Sequence, residues 1–196
     1  ERSALLRYMT AQLNRPVRPD ITGAVNARLF ADADANVFAI LDGASVPDLR
    51  DALYRMQPEH VCLYRGELAP DMAEVAPYLV RLERDSEFAE WVIEKGWGNH
   101  WGIFAEADAD LHTLRQHFRR FLTVHDSDGK PLIFRYYDPR VMRVYLPTCN
   151  AEELAAIFGP VSAYLLEGAV EGDSPGTLLR FEAASGTLAA KEEKLD

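Results

Sequence analysis

Asn36-Val-Phe-Ala-Ile-Leu-Asp42 runs five apolar residues in unbroken succession between polar ends and leads straight into Gly43. A run of that length with no polar alternation reads as a strand buried on both faces, closed by an Asp-Gly turn. Such a strand belongs in the middle of a sheet, with helices packed above and below it.

Working outward, residues 4–13 read as a short helix that must stop before Arg15-Pro16-Val17-Arg18-Pro19, because proline lacks a donor and disfavours helical backbone in the residue before it. On the other side, Pro47-Asp48 opens an amphipathic helix over 47–56, with Leu49, Leu53 and Met56 on one face. Strands are expected at 60–64, 77–82 and 99–105, and Ser86 caps a helix that stops at Gly96. Residues 110–124 give the clearest helical pattern: Leu111, Leu114, Phe118, Phe121 and Leu122 form an apolar stripe, with His112, Arg115 and Arg119 opposite. A turn at Ser127-Asp128-Gly129-Lys130 leads to a strand at 131–137; a helix at 152–158 and strands at 161–166 and 177–182 follow. Residues 183–196 read as a linker or the start of a helix.

Strands alternating with helices predict an α/β fold: a mixed, partly parallel sheet of about five strands flanked by helices. The expected organisation is an N-terminal helix and proline-containing arm over 1–20, the α/β domain over 21–170, and over 171–196 a C-terminal strand and linker or the truncated start of a helical lobe.

The net charge of −10 argues against a nucleic-acid binder, which needs basic surface. Between Asp110 and Arg143, however, seven basic residues face four acidic ones, a place for an acidic partner to dock. Cys62 and Cys149 supply neither a disulfide framework nor zinc-ligand spacing, which fits a reducing cytoplasm. No apolar run approaches the roughly 18–20 residues that cross a bilayer, so no membrane partner is expected.

Asp32-Ala-Asp-Ala-Asn36 opens like a calcium loop, but the sixth and twelfth positions hold Val37 and Gly43 in place of Gly and Glu. His112 and His117 diverge by about 140° around a helix and cannot share a metal ion. Glu90 and Glu94 read as a solvated helix face, and the rings and glycines of Trp97-Gly-Asn-His-Trp-Gly102 as packing around a turn. No catalytic residue, metal or cofactor is assigned.

Phe134-Arg-Tyr-Tyr-Asp-Pro-Arg-Val141 is the densest chemistry in the chain. By the strand period, Phe134 and Tyr136 face one side and Arg135 and Tyr137 the other. Asp138 stands at a helix N-cap with Pro139 at the first helical position. Arg140 and Arg143 share a face of that helix, while Val141, Val144 and Tyr145 can turn toward the core. Arg135 can pair with Asp138 or emerge beside Arg140. Internal ion pairs and an exposed rim for an anion or a protein both remain open.

This block resembles a family signature when taken with Leu114-Arg-Gln-His-Phe-Arg-Arg-Phe-Leu122, Asp128-Gly129, Phe158-Gly-Pro160, Ala76-Pro77-Tyr78-Leu-Val80 and Ala39-Ile-Leu-Asp-Gly43. It is similar to the adaptor, or effector-chaperone, domain of bacterial type VI secretion systems. The resemblance implies a non-catalytic cytoplasmic protein that holds the N-terminal segment of a toxic effector. It would help load that effector onto the C-terminal region of the valine-glycine repeat spike protein. The positions matching the pattern are His117, Arg119, Arg120, Arg135, Tyr137, Asp138, Pro139 and Arg140; Arg143 joins them as a partner-binding candidate. Family members often carry a further helical lobe after this region. The competing reading is an enzyme or ligand-binding site for a phosphate or carboxylate, built from Arg135, Arg140, Arg143 and His117, for which the sequence nominates no nucleophile or base.

Overall fold

The computed structural model describes residues 19–168 and 176–195. The helix expected at 4–13 lies outside them. A seven-stranded sheet dominates, in the order β2-β3-β1-β4-β7-β8-β9, from β1 (Asn36–Asp42), β2 (His60–Cys62), β3 (Pro77–Leu82), β4 (Gly102–Ala107), β7 (Val161–Glu167), β8 (Thr177–Ala184) and β9 (Thr187–Lys194). A hairpin of β5 (Thr123–His125) and β6 (Pro131–Ile133) stands apart from it. The helices are α1 (Pro19–Leu29), α2 (Leu49–Met56), α3 (Pro70–Val75), α4 (Glu87–Gly96), α5 (Leu111–Arg119), α6 (Pro139–Tyr145) and α7 (Ala151–Phe158).

The first correction concerns strand direction and number. Every neighbouring pair is antiparallel, where a partly parallel sheet of about five strands was expected. The cause is visible around β1. The unit β1-α2-β2 is a crossover that leaves its two strands running the same way, as the alternation of elements suggests. But β3 occupies the slot between them and pairs antiparallel with both. Burial on both faces identifies a central strand without revealing the direction of its neighbours.

β1 itself fulfils its reading. Val37, Ala39 and Leu41 face a core shared with Ile21, Val25 and Leu29 of α1, Leu49 and Leu53 of α2, and Val92 and Ile93 of α4. Phe38 and Ile40 face the opposite core, with Leu114 and Phe118 of α5, Met142 of α6, and Leu154 and Ile157 of α7. Each core is apolar enough to hold one helical layer against the sheet at roughly 25 cal/mol per Å² of apolar surface buried. Trp97 and Trp101 are buried in the first core, Trp97 stacked on Phe104 with ring centroids 6.3 Å apart.

Further differences are local. α1 occupies 19–29, where no element was expected. The helix expected over 110–124 ends at Arg119, and Thr123–His125 turns into a strand that pairs with Pro131–Ile133. Asp126 closes that hairpin by accepting from the Asp128 and Lys130 backbone N–H groups. Residues 134–137 do not continue the strand: the Phe134 N–H donates to Leu122, and the chain then turns so that the Asp138 N–H donates to Arg135. Tyr136 and Tyr137 are therefore both buried instead of facing opposite sides. β4 begins at Gly102, three residues later than expected. β9 forms where a linker or helix start was expected, joined to β8 by Ser185 and Gly186 at φ 51° and 75°, the left-handed pair of a tight hairpin turn.

Candidate functional site

The carboxyl ends of β1, β2 and β7 and the starts of β3 and β4 all lie at one end of the sheet. Three carboxylates are buried there: Asp42 (1% exposed), Glu167 (4%) and Asp138 (5%). Burying a charge is costly unless it is paired and hydrogen-bonded, so the partners of these three define the site.

Asp42 closes β1. It accepts from the Ala44 N–H at 3.1 Å and the Ser45 hydroxyl at 2.8 Å, and it pairs with the guanidinium of Arg135. Arg135 thus crosses from the motif block to the end of the central strand, a partner not considered in the sequence. Burial disfavours the Arg135 charge, but the Asp42 contact outweighs it and holds the guanidinium above its ordinary value. The next residue, Gly43, has no room for a side chain: a Cβ there would stand 2.4 Å from the Ala76 carbonyl oxygen and 2.6 Å from that of Glu74. The Asp-Gly and Ala-Pro motifs are therefore in direct contact.

Asp138 caps α6 as expected, accepting from the Arg140 N–H at 2.9 Å. The Arg140 side chain then grips the same carboxylate with two bonds, Nε to Oδ1 at 3.0 Å and Nη2 to Oδ2 at 2.7 Å. Burial alone would raise the Asp138 carboxyl, but this fork and the cap lower it below its ordinary value. Glu167, at the end of β7, accepts from the Gly98 N–H and pairs with His100, whose φ of 58° lies in the left-handed region. Arg140 is close enough to feel both Glu167 and Asp42. Tyr137 is buried beside Asp42 and Tyr64, and burial pushes its phenol well above the ordinary range.

The remaining motif residues hold other joints. His117 is buried, and its Nε2 lies 2.9 Å from the Ile157 carbonyl oxygen; because a carbonyl only accepts, the ring proton sits on Nε2. Burial lowers its pKa, which keeps it neutral. Gly159 fits against this ring at φ 46°, where a Cβ would come 2.7 Å from Cε1, so the Phe-Gly-Pro motif serves His117. Arg119 reaches back to the edge strand: Nε donates to Leu63 at 2.8 Å, while Nη2 bonds the Cys62 and Tyr64 carbonyls. Arg119 therefore does not join His112 on a solvated face. Arg120 is exposed, its guanidinium 5.8 Å from the Phe121 ring centroid. Arg143 has no ion-pair partner among the described residues, and Val144 beside it is 68% exposed instead of turned to the core.

Sequence reasoning thus missed Asp42, Ser45, Glu167, His100 and Gly159 as functional partners. Asp42 was within reach, since a carboxylate ending a doubly buried strand requires a cation. Glu167 and His100, 67 residues apart in the chain, carried no such signal.

These features define a class: a two-cored antiparallel sheet domain whose sequence motifs meet in an arginine–carboxylate knot at one sheet end. Residues 37–156 match the family described as "Domain of unknown function (DUF4123)", and the chain belongs to that family, the type VI secretion adaptor family that its motifs resemble. It is 29% identical over 119 residues to "Accessory protein VasW" of Vibrio cholerae, which covers 60% of this chain and 39% of that protein. It is also 32% identical over 100 residues to a glycine–tRNA ligase of Acetivibrio thermocellus, covering 48% of this chain and 19% of that one. The chain therefore spans well under half the length of either relative. No solved structure matches. Among the described residues no helix is long and apolar enough to cross a membrane.

Proposed function

We propose that the chain is a non-catalytic adaptor of the bacterial cytoplasm that holds the N-terminal segment of a type VI secretion effector. It helps load that effector onto the C-terminal region of the valine-glycine repeat spike protein. The observation that carries this reading is the outer face of α6. Arg143 and Val144 lie side by side there; Val144 is 68% exposed, and Arg143, half-buried, has no ion-pair partner among the described residues. A guanidinium beside an exposed aliphatic residue suits a polypeptide partner, since arginine combines charge, planar hydrogen bonding and apolar contact. Family membership supports the reading, as does the likeness to a protein named as an accessory protein.

The anion-site alternative finds less support. Two of its four groups, Arg135 and Arg140, already face buried carboxylates, and a third, His117, is neutral and bonded to backbone. Only Arg143 retains a guanidinium without a charged partner among the described residues. The test is co-expression of the chain with an effector and a spike protein encoded beside it. The adaptor reading expects complexes that survive gel filtration; migration of the chain free of both would contradict it.

A further inference from the structure

We propose that the open groove between the end of β2 and the β5–β6 hairpin docks an acidic, apolar segment of a partner protein. The groove encloses about 300 Å³ and is lined by Leu63, Tyr64 and Leu68 after β2, and by Leu122 and Ile133 at the hairpin, where the Phe134 N–H donates to Leu122. Ile133 is 68% exposed, and its hairpin neighbours Leu132 and Val124 are 45% and 40% exposed. A two-stranded hairpin outside the main sheet is marginally stable alone, and exposed aliphatics on it gain from being covered.

The charged side chains that line the groove are both cationic. Arg65 and Arg119 line it, and neither has an ion-pair partner among the described residues. Arg119 bonds three backbone carbonyls, which orient the guanidinium without neutralising it. Arg115 stands close behind with its Nε enclosed and unbonded among the described residues. Burial, then repulsion from Arg115 and Arg65, depresses the Arg119 pKa, so the three guanidiniums are near enough to oppose one another. An occupant bearing carboxylates relieves that repulsion and one bearing amines increases it. The chain's own first eighteen residues carry four arginines against one glutamate and are not complementary. A nucleic acid would meet a molecule of net charge −10. The fitting occupant is a polypeptide that alternates acidic with large apolar side chains.

This inference rests on the adaptor reading only in taking the occupant to be a protein. Its test uses the intact chain and a short fluorescein-labelled peptide built from Leu-Glu-Glu-Leu blocks, with a Lys-for-Glu peptide and a single-stranded oligonucleotide as controls. Fluorescence anisotropy is expected to show the acidic peptide binding, and added salt weakening it. Arg65→Glu and Ile133→Asp, both at exposed positions, are each expected to weaken it about tenfold, with circular dichroism unchanged. The proposal is overturned if the acidic peptide does not bind, if either control binds as tightly, or if both folded variants bind as wild type does. Self-association abolished by Ile133→Asp in sedimentation would also overturn it, by assigning the groove to a second copy. Failure here with effector and spike complexes intact removes the groove alone, whereas peptide binding without either complex removes the adaptor reading instead.

Discussion

Two regions a single helix turn apart use arginine in opposite ways. At the sheet end, Arg135 and Arg140 neutralise Asp42 and Asp138, carboxylates that the fold has buried. On the outer face of α6, half-buried Arg143 stands beside an exposed Val144 with no ion-pair partner among the described residues. The difference lies in the partner, not in the arginine. A guanidinium facing a buried charge holds the fold together, because its loss strands that charge, whereas one with no ion-pair partner keeps its charge for another molecule. A motif rich in arginine therefore marks two functions at once, and only geometry separates them.

The largest effect that could break this comparison is at Asp42. Asp42→Ala removes the acceptor shared by Arg135, Ser45 and the Ala44 N–H, and is expected to cost about 3 kcal/mol in urea unfolding. A cost below about 0.5 kcal/mol would show that the knot does not hold the sheet end. Next is Gly159→Ala, which places a Cβ against the His117 ring at a positive φ and is expected to cost about 2 kcal/mol. A midpoint equal to that of wild type would mean the ring moves aside freely.

Acid gives a smaller, graded effect with a definite sign. His117 has a folded pKa below its ordinary 6.5, so its contribution is present above that value and is lost as pH falls through and below it. Asp138 is likewise held below its ordinary 3.8, and its contribution disappears only in stronger acid. The urea midpoint is therefore expected to decline in two stages as pH drops. His117→Gln, which keeps a donor for Ile157, should flatten the first stage and leave the second. A first stage equally steep in that variant would assign it to another group.

How much of this was legible in the sequence depends on where each signal resides. The Asn36–Asp42 strand, the Ser86 and Asp138 caps and the Asp-Gly turn of the β5–β6 hairpin are local, and the structure has them where their residues suggest. Strand direction was not legible, because β3 enters between β1 and β2 and no local pattern reports that insertion. β9 was hidden for a different reason. An edge strand exposed on both faces carries Lys and Glu in place of alternating apolar residues, and only the Ser185-Gly186 turn marked it. The helix over 110–124 was read too long because Phe121 and Leu122 continue the apolar stripe beyond its true end, packing against the same core from a turn. In the site, the Asp138 cap could be read, but the Arg135–Asp42 pair joins residues 93 apart and depends on the tertiary fold.

The most direct test of the division between these two regions is equilibrium urea unfolding of Arg140→Met and Arg143→Met side by side. Arg140→Met leaves the buried Asp138 carboxylate with its backbone cap alone and is predicted to lose roughly 2 kcal/mol, whereas Arg143→Met is predicted to stay within about 0.5 kcal/mol of wild type. Equal losses, or a larger loss at Arg143, would contradict the account.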